Sequence, residues 1–282
     1  MGTHQHTLTD TSRADTSVTG ELNYLLDDGV RPVNYAYAQP QGKPQRTGVL
    51  QPTQVQISDA RRLHPSASLD VHGFAKVEQA SAVANLEDEQ QVRGLYYAEV
   101  DALLRLHTGA VKTVIFDHTI RIDEPGREAN GLREPVRYVH NDQTERSAIR
   151  RVRDHLPAQE AEQRLLKRFA IINVWRPIGG PVWTTPLALC DAGSIDAADF
   201  LPSDLVYRDK IGETFSVRAN PQHRWYYYPQ LRPEEALLLK IYDSRTDVSR
   251  AGAHTAFDDP TTPADAPPRR SIELRALVFF AD

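Results

Sequence analysis

Ala170-Ile171-Ile172-Asn173-Val174-Trp175 (AIINVW) is a short, nearly continuous apolar run rich in β-branched residues, and it opens the half of the chain that decides the fold. Such a run reads as a strand. Comparable runs follow at Pro186–Cys190, Asp204–Tyr207, Thr214–Arg218, Trp225–Tyr228, Leu237–Tyr242 and Ser271–Phe280, with Gly and Pro turns between them. Many short strands punctuated in this way predict a β-sandwich or jelly roll. Between the last two runs, Ala251–Pro268 carries Pro260, Pro263, Pro267 and Pro268 and reads as a loop.

Upstream the pattern is mixed. Leu22–Arg62 reads as loops and short strands, with a turn at Pro40-Gln41-Gly42-Lys43-Pro44. From about Ala80 to His107, apolar positions Leu86, Val92, Leu95, Tyr96, Val100, Leu103 and Leu104 recur at helical spacing, and Gly109 is a natural stop. Val111–Ile122 and Val136–His140 read as strands. Thr144 or Ser147 can cap a charged helix, and a second helix is expected over Pro157–Arg168, with Pro157 in its first turn.

The 282 residues fit one large domain, and 40% hydrophobic with 25% charged residues is enough to build a core. We expect a polar tail over residues 1–19 and a single domain over 20–282. A net charge of −5 offers no basic field for phosphate backbones, which argues against nucleic acid as a partner. The single cysteine, Cys190, rules out an internal disulfide and reads as a buried core residue. No apolar stretch is long enough to span a bilayer and no apolar leader is visible, so the expectation is a cytoplasmic protein. A homodimer is left open.

His140-Asn141-Asp142 is the one His-x-acid pattern in the chain. On an extended segment, side chains two apart point the same way. With a remote histidine, such a pair can hold a divalent metal on one face and leave the other open, the two-His, one-carboxylate arrangement of non-haem Fe(II) oxygenases. His254 is the remote histidine, and Arg269 stands at the entrance to the final strand. A 2-oxo acid co-substrate needs a cation for its distal carboxylate, and a planar guanidinium can bind both oxygens. The residues alone equally allow a half-buried strand histidine, an aspartate cap and a solvated arginine.

The wording around these residues resembles the CmcJ/NvfI-like (gibberellin-desaturase-like) family of Fe(II)/2-oxoglutarate-dependent oxygenases. The resemblance runs from about Asp70 onward. It is carried by Asp70-Val71-His72-Gly73-Phe74, Phe116-Asp117-His118-Thr119, Val139-His140-Asn141-Asp142, Asn173-Val174-Trp175-Arg176-Pro177, Lys240-Ile241-Tyr242-Asp243-Ser244, His254-Thr255-Ala256-Phe257 and Pro268-Arg269-Arg270-Ser271. It implies a mainly β fold with flanking helices, a cupin-like double-stranded β-helix. It implies His140, Asp142 and His254 as iron ligands, with Fe(II), 2-oxoglutarate and O2 as cofactors. Arg269 and Ser271 are implied as the co-substrate site. Arg275 is the alternative arginine, because Arg269, Ser271, Glu273 and Arg275 would share a strand face. Asn173, Trp175 and Arg176, which follow an apolar strand, are expected to line the co-substrate pocket, the other reading being Trp175 in the core and Arg176 paired with an acid. The implied activity is hydroxylation, desaturation or oxidative cyclisation of a small natural-product-type substrate, releasing succinate and CO2. Two other readings compete: an auxiliary partner of another biosynthetic enzyme, and a cupin-type metal-dependent hydrolase or isomerase.

Other residues carry weaker expectations. The run Trp225-Tyr226-Tyr227-Tyr228 could shape the substrate cavity or split between core and surface. His118 is expected to be structural, His223 to sit in a turn, and Lys240 with Asp243 to join an ion network. The substrate cavity is expected to hold few cations.

Overall fold

The computed structural model describes residues 17–124 and 133–281. Its strands, in chain order, are β1 (Ser17–Leu25), β2 (Val33–Tyr35), β3 (Leu50–Asp59), β4 (Phe74–Glu78), β5 (Lys112–Ile122), β6 (His140–Asn141) and β7 (Phe169–Pro177). There follow β8 (Leu187–Cys190), β9 (Phe200–Val206), β10 (Ile211–Val217), β11 (Trp225–Tyr227), β12 (Glu235–Asp243), β13 (His254–Ala256) and β14 (Arg270–Phe279). They form two sheets. The larger has the order β1-β3-β11-β8-β13-β6-β10-β9-β2, and the smaller β4-β12-β7-β14-β5. Two facing, curled sheets of this order make the expected jelly roll.

The smaller sheet is buried on both sides, and its alternation sets where everything else lies. On β7, Phe169, Ile171 and Trp175 point inward to a core shared with Leu187, Leu189, Leu237, Leu239 and Phe279. The intervening Ala170, Ile172 and Val174 point outward, against Val92, Tyr96, Val100, Leu103 and Leu104 of the helical layer. A buried aliphatic side chain of this kind contributes about 1.5–3 kcal/mol. With both faces covered, β7 reads as an unbroken apolar run rather than an alternating one. A third cluster, including Leu22, Tyr24, Trp225, Tyr227 and Phe257, lies behind β8 and β11.

The outer layer begins later than its periodicity predicts. Ala80–Glu87 is irregular, and the helix starts at α2 (Glu89–Gln91), after short helix α1 (Leu69–His72). Asp88 sets the start: its carboxylate accepts from the backbone N–H groups of Gln90 and Gln91. One π-helical turn, Val92–Tyr96, leads into α3 (Tyr97–Thr108), and Gly109 ends it with φ 72°, as the sequence suggests. Thr144 caps α4 (Glu145–His155) in a reciprocal capping box with Ser147. Helix α5 (Ala158–Leu165) is shorter than the expected Pro157–Arg168 and leads into β7.

Other expectations need correction. Ser17–Thr19, placed in the tail, belong to β1; the rest of that tail lies outside the described residues. Leu22–Arg62 contains two long paired strands, β1 and β3. The strand expected over Val136–His140 shrinks to the two residues of β6. The carbonyls before it bond to scattered partners: that of Val136 accepts from the Ala256 N–H, and that of Arg137 from the Asn23 side chain. Conversely, the expected loop Ala251–Pro268 contains β13, three residues held between β6 and β8. A three-residue strand is too short to show a period.

Candidate active site

The larger sheet supplies two histidines side by side. His140 on β6 and His254 on β13 are direct antiparallel partners, with ring centroids 4.4 Å apart. Asp142 follows on the link from β6 to α4. One donor atom from each of His140, Asp142 and His254 lies within 4.8 Å of the other two.

Asn141, the residue between the paired ligands, was not singled out from the sequence. Its side chain is fully buried and acts as a peg. Nδ2 donates to the carbonyls of Ile241 (3.1 Å) and Gly252 (2.6 Å), and Oδ1 accepts from the Gln143 N–H (2.9 Å). The sequence carries little signal for this: Asn141 stands among polar neighbours, and it is burial in the fold that makes its amide need partners.

The backs of two of the three donor groups, His140 and Asp142, are already committed. His140 Nδ1 lies 2.8 Å from the Tyr138 carbonyl, which can only accept. Nδ1 therefore carries the proton and Nε2 presents its lone pair. Asp142 Oδ2 accepts from Asn173 Nδ2 (2.8 Å) and Arg275 Nε (3.0 Å), while Oδ1 faces His140 Nε2 at 3.5 Å. Burial pushes the Asp142 carboxyl up, but Arg275, with His140 and His254, holds it well below the usual carboxylate range. Burial, reinforced by the neighbouring His140 ring, pulls His254 down to about 3, so its imidazole is neutral. Two imidazoles and one carboxylate are the donor set that suits Fe(II).

The cavity beside the histidines is lined by Arg121, Trp175, Leu187, Thr255, Arg269, Glu273 and Arg275, among others. Arg269 is 2% exposed, and its Nη1 donates to the Thr185 carbonyl at 2.6 Å. Its Nε and the hydroxyl of Ser271 are buried without partners among the described residues. Burial pulls the Arg269 guanidinium down to about 9, and the neighbouring Arg121 charge adds to the effect. The adjacent Arg270 is exposed and pairs with Glu87, so Arg269 is the one of the two that faces inward. A buried cation with free donors beside a free hydroxyl is a receptor for a carboxylate.

Several candidates stand elsewhere or do something else. Arg176 is one residue off the inward register of β7. It donates to Tyr96 Oη and to the carbonyls of Gln79 and Pro233 in the helical layer, so it does not line the pocket. Asn173 reaches the site, where its Nδ2 donates to Asp142 and Glu273. Arg275 donates to Asp142, Asp117, Thr119 and Glu273, so its guanidinium is committed within the protein, unlike that of Arg269. His118 faces the helices and bonds Tyr97 and Glu89. His223 lies in a turn, yet its ring is buried between Tyr24 and Asp199. Trp225 and Tyr227 pack in one core cluster, and Tyr226 and Tyr228 against another, so that run does not line the cavity. Lys240 and Asp243 form the expected network with Asp70 and Arg168. Three guanidiniums line the small cavity beside the histidines.

A jelly roll carrying a two-His, one-carboxylate cluster at the junction of its sheets defines the class of non-haem iron oxygenases. The chain matches, over residues 22–279, the family model described as an oxidoreductase/YMDC permease-like domain. It is 37% identical over 235 residues to the Fe(II)/2-oxoglutarate-dependent dioxygenase nvfI of Aspergillus novofumigatus, covering 81% of this chain and 84% of that protein. It is 33% identical over 251 residues to the hydroxylase/desaturase CTB9 of Cercospora beticola, covering 81% and 76%. The solved structure of the iron and alpha-ketoglutarate-dependent endoperoxidase NvfI superposes with a TM-score of 0.85 at 32% identity, covering 95% of this chain and all of that one. The chain belongs to this family of Fe(II)/2-oxoglutarate-dependent oxygenases, as its sequence blocks imply. Among the described residues no helix is long and apolar enough to cross a membrane.

Proposed function

We propose that His140 Nε2, Asp142 Oδ1 and a nitrogen of His254 hold Fe(II), and that Arg269 with Ser271 receives the distal carboxylate of 2-oxoglutarate. The observation that carries this reading is the commitment of the rear-facing atoms of His140 and Asp142, with the His254 ring packed 4.4 Å from His140. Tyr138, Asn173 and Arg275 occupy the far sides of His140 and Asp142, so the free donors converge on one point. The unpartnered Arg269 Nε and Ser271 Oγ support the co-substrate half.

When bound, Fe(II) with the 2-oxo acid and O2 supplies oxidative decarboxylation to succinate and CO2, coupled to oxidation of a substrate C–H bond. The chain's own residues bind, orient and exclude water. Asn173 and Arg275 keep the Asp142 carboxylate turned. Trp175 places its ring 5.5 Å from the Arg269 guanidinium, and Leu187 adds an apolar wall to the same cavity. The relatives are named for hydroxylation, desaturation and endoperoxide formation, so the reaction class is oxidation of a small biosynthetic intermediate. Neither the auxiliary-partner nor the hydrolase reading draws support from them.

Anaerobic addition of Fe(II) and then 2-oxoglutarate should give a weak visible metal-to-ligand charge-transfer band. No band, with both bound, sinks the reading. Replacing Arg269 with Gln should weaken 2-oxoglutarate binding and spare Fe(II) binding. Replacing Asn173 with Leu should cost about 10–100-fold in Fe(II) affinity, the usual effect of removing a group that orients a ligand. Equal affinities by metal titration would show that Asn173 does not position Asp142.

A further inference from the structure

The cavity beside the histidines holds a cation for which the reading above has no use. Arg121 on β5 is the direct antiparallel partner of Ser271 on β14, and paired residues point to the same face. The next inward pairs, Thr119 with Glu273 and Asp117 with Arg275, are joined through the Arg275 side chain, which fixes this face as the interior one. Arg121 and Arg269 thus line one small cavity.

No carboxylate among the described residues pairs with either. Arg121 donates through Nη1 to the Glu134 carbonyl at 2.7 Å, and Arg269 through Nη1 to the Thr185 carbonyl. Asp142 and Glu273 are held by Arg275. Asp123 is held by Arg137 at 3.2 Å and by the Thr185 hydroxyl at 2.9 Å. Two crowded guanidiniums with no acid of their own destabilise the empty pocket unless an anion enters it.

We propose that Arg121 is a second guanidinium for the distal carboxylate of the co-substrate, acting with Arg269 and Ser271, so that the pocket selects a 2-oxo dicarboxylate over a 2-oxo monocarboxylate. The assignment rests on the co-substrate reading above. It explains why Arg121 faces inward on a half-buried strand rather than pairing at the surface. It also gives Arg121 a binding role that a structural arginine would not have.

The test uses the full chain loaded with Fe(II) without oxygen, and calorimetry with two ligands: 2-oxoglutarate, and 2-oxobutanoate, which has the same keto-acid head but no distal carboxylate. Arg121→Gln should raise the dissociation constant of 2-oxoglutarate about 10–100-fold, the range for loss of a charge-assisted contact. It should leave that of 2-oxobutanoate nearly unchanged, and Arg121→Lys should recover part of the loss. The metal-free Arg121→Gln chain should melt no lower than the parent, because a like-charge contact is relieved. A 2-oxoglutarate constant within twofold of the parent, or equal losses for both ligands, overturns the proposal. Arg269→Gln separates the two levels. Loss there with none at Arg121 overturns this inference alone, whereas no loss at either position overturns the co-substrate site itself.

Discussion

Replacing His140 with Ala should abolish 2-oxoglutarate turnover, with succinate formation falling to the background of iron free in solution. His140 contributes one of three converging donor atoms, and its Nε2 is free only because the Tyr138 carbonyl holds Nδ1–H. Fe(II) stands low in the affinity order of the divalent first-row metals, so a site that loses one of three protein ligands loses Fe(II) early. Asp142 and His254 would remain, but they no longer define one face with an open opposite side. The fold should survive: the β6–β13 pairing is a backbone contact, and Asn141 still pegs the turn to Ile241 and Gly252. Thermal unfolding of the metal-free variant close to that of the parent, together with absence of the visible band and of succinate, is the expected pair of results. Full turnover with iron still bound removes His140 from the ligand set.

The legible parts of this molecule are those whose chemistry is local. The run Ala170–Trp175 marked a doubly covered strand because both its faces are apolar, and Gly109 and Thr144 marked helix ends because each does so through its own backbone or hydroxyl. His140, Asp142 and Arg269 stood out through residue type and order. What escaped was set by tertiary contacts. β13 is held by neighbours rather than by a period of its own, and Asn141 matters through carbonyls 100 and 111 residues away in sequence. The roles of Asn173, Arg176 and Arg275 depend on strand register. Asn173 and Arg275 are direct partners on β7 and β14, facing inward, and Arg176 is one step out of phase. A one-residue step on a strand reverses the face, so a motif that names Asn173 and Arg176 together necessarily splits them between two layers.

That register also makes two arginines of one strand face behave in opposite ways. Arg275 donates to Asp142 at 3.0 Å, to Asp117 at 3.1 Å and to Glu273 at 2.7 Å; burial alone would pull its guanidinium down, but Glu273, Asp142 and Asp117 hold it well above its ordinary value. Arg275→Leu would leave Asp142 and Glu273 largely buried, adjacent and without their cation. Breaking a buried pair by removing one partner costs about 3–5 kcal/mol. At about 2–4 °C per kcal/mol for a chain of this size, the metal-free variant should melt on the order of 10 °C below the parent. The sign of the pH effect follows from Asp142. Its depressed carboxyl stabilises the parent above the ordinary carboxylate range, and that stability is lost as pH falls through the folded-state value. In the variant the crowded carboxylates take up protons more readily, so the gap between the two proteins should be widest near neutrality and narrow under mild acid. Fe(II), a replacement counter-ion for Asp142, should recover part of the loss. Arg269→Gln, at the entrance to the same strand, should cost the metal-free fold little, because it removes a buried cation that has no acid of its own. Urea unfolding of both metal-free variants reads the contrast directly: an Arg275→Leu chain as stable as the parent would mean that the site's carboxylates do not depend on this guanidinium.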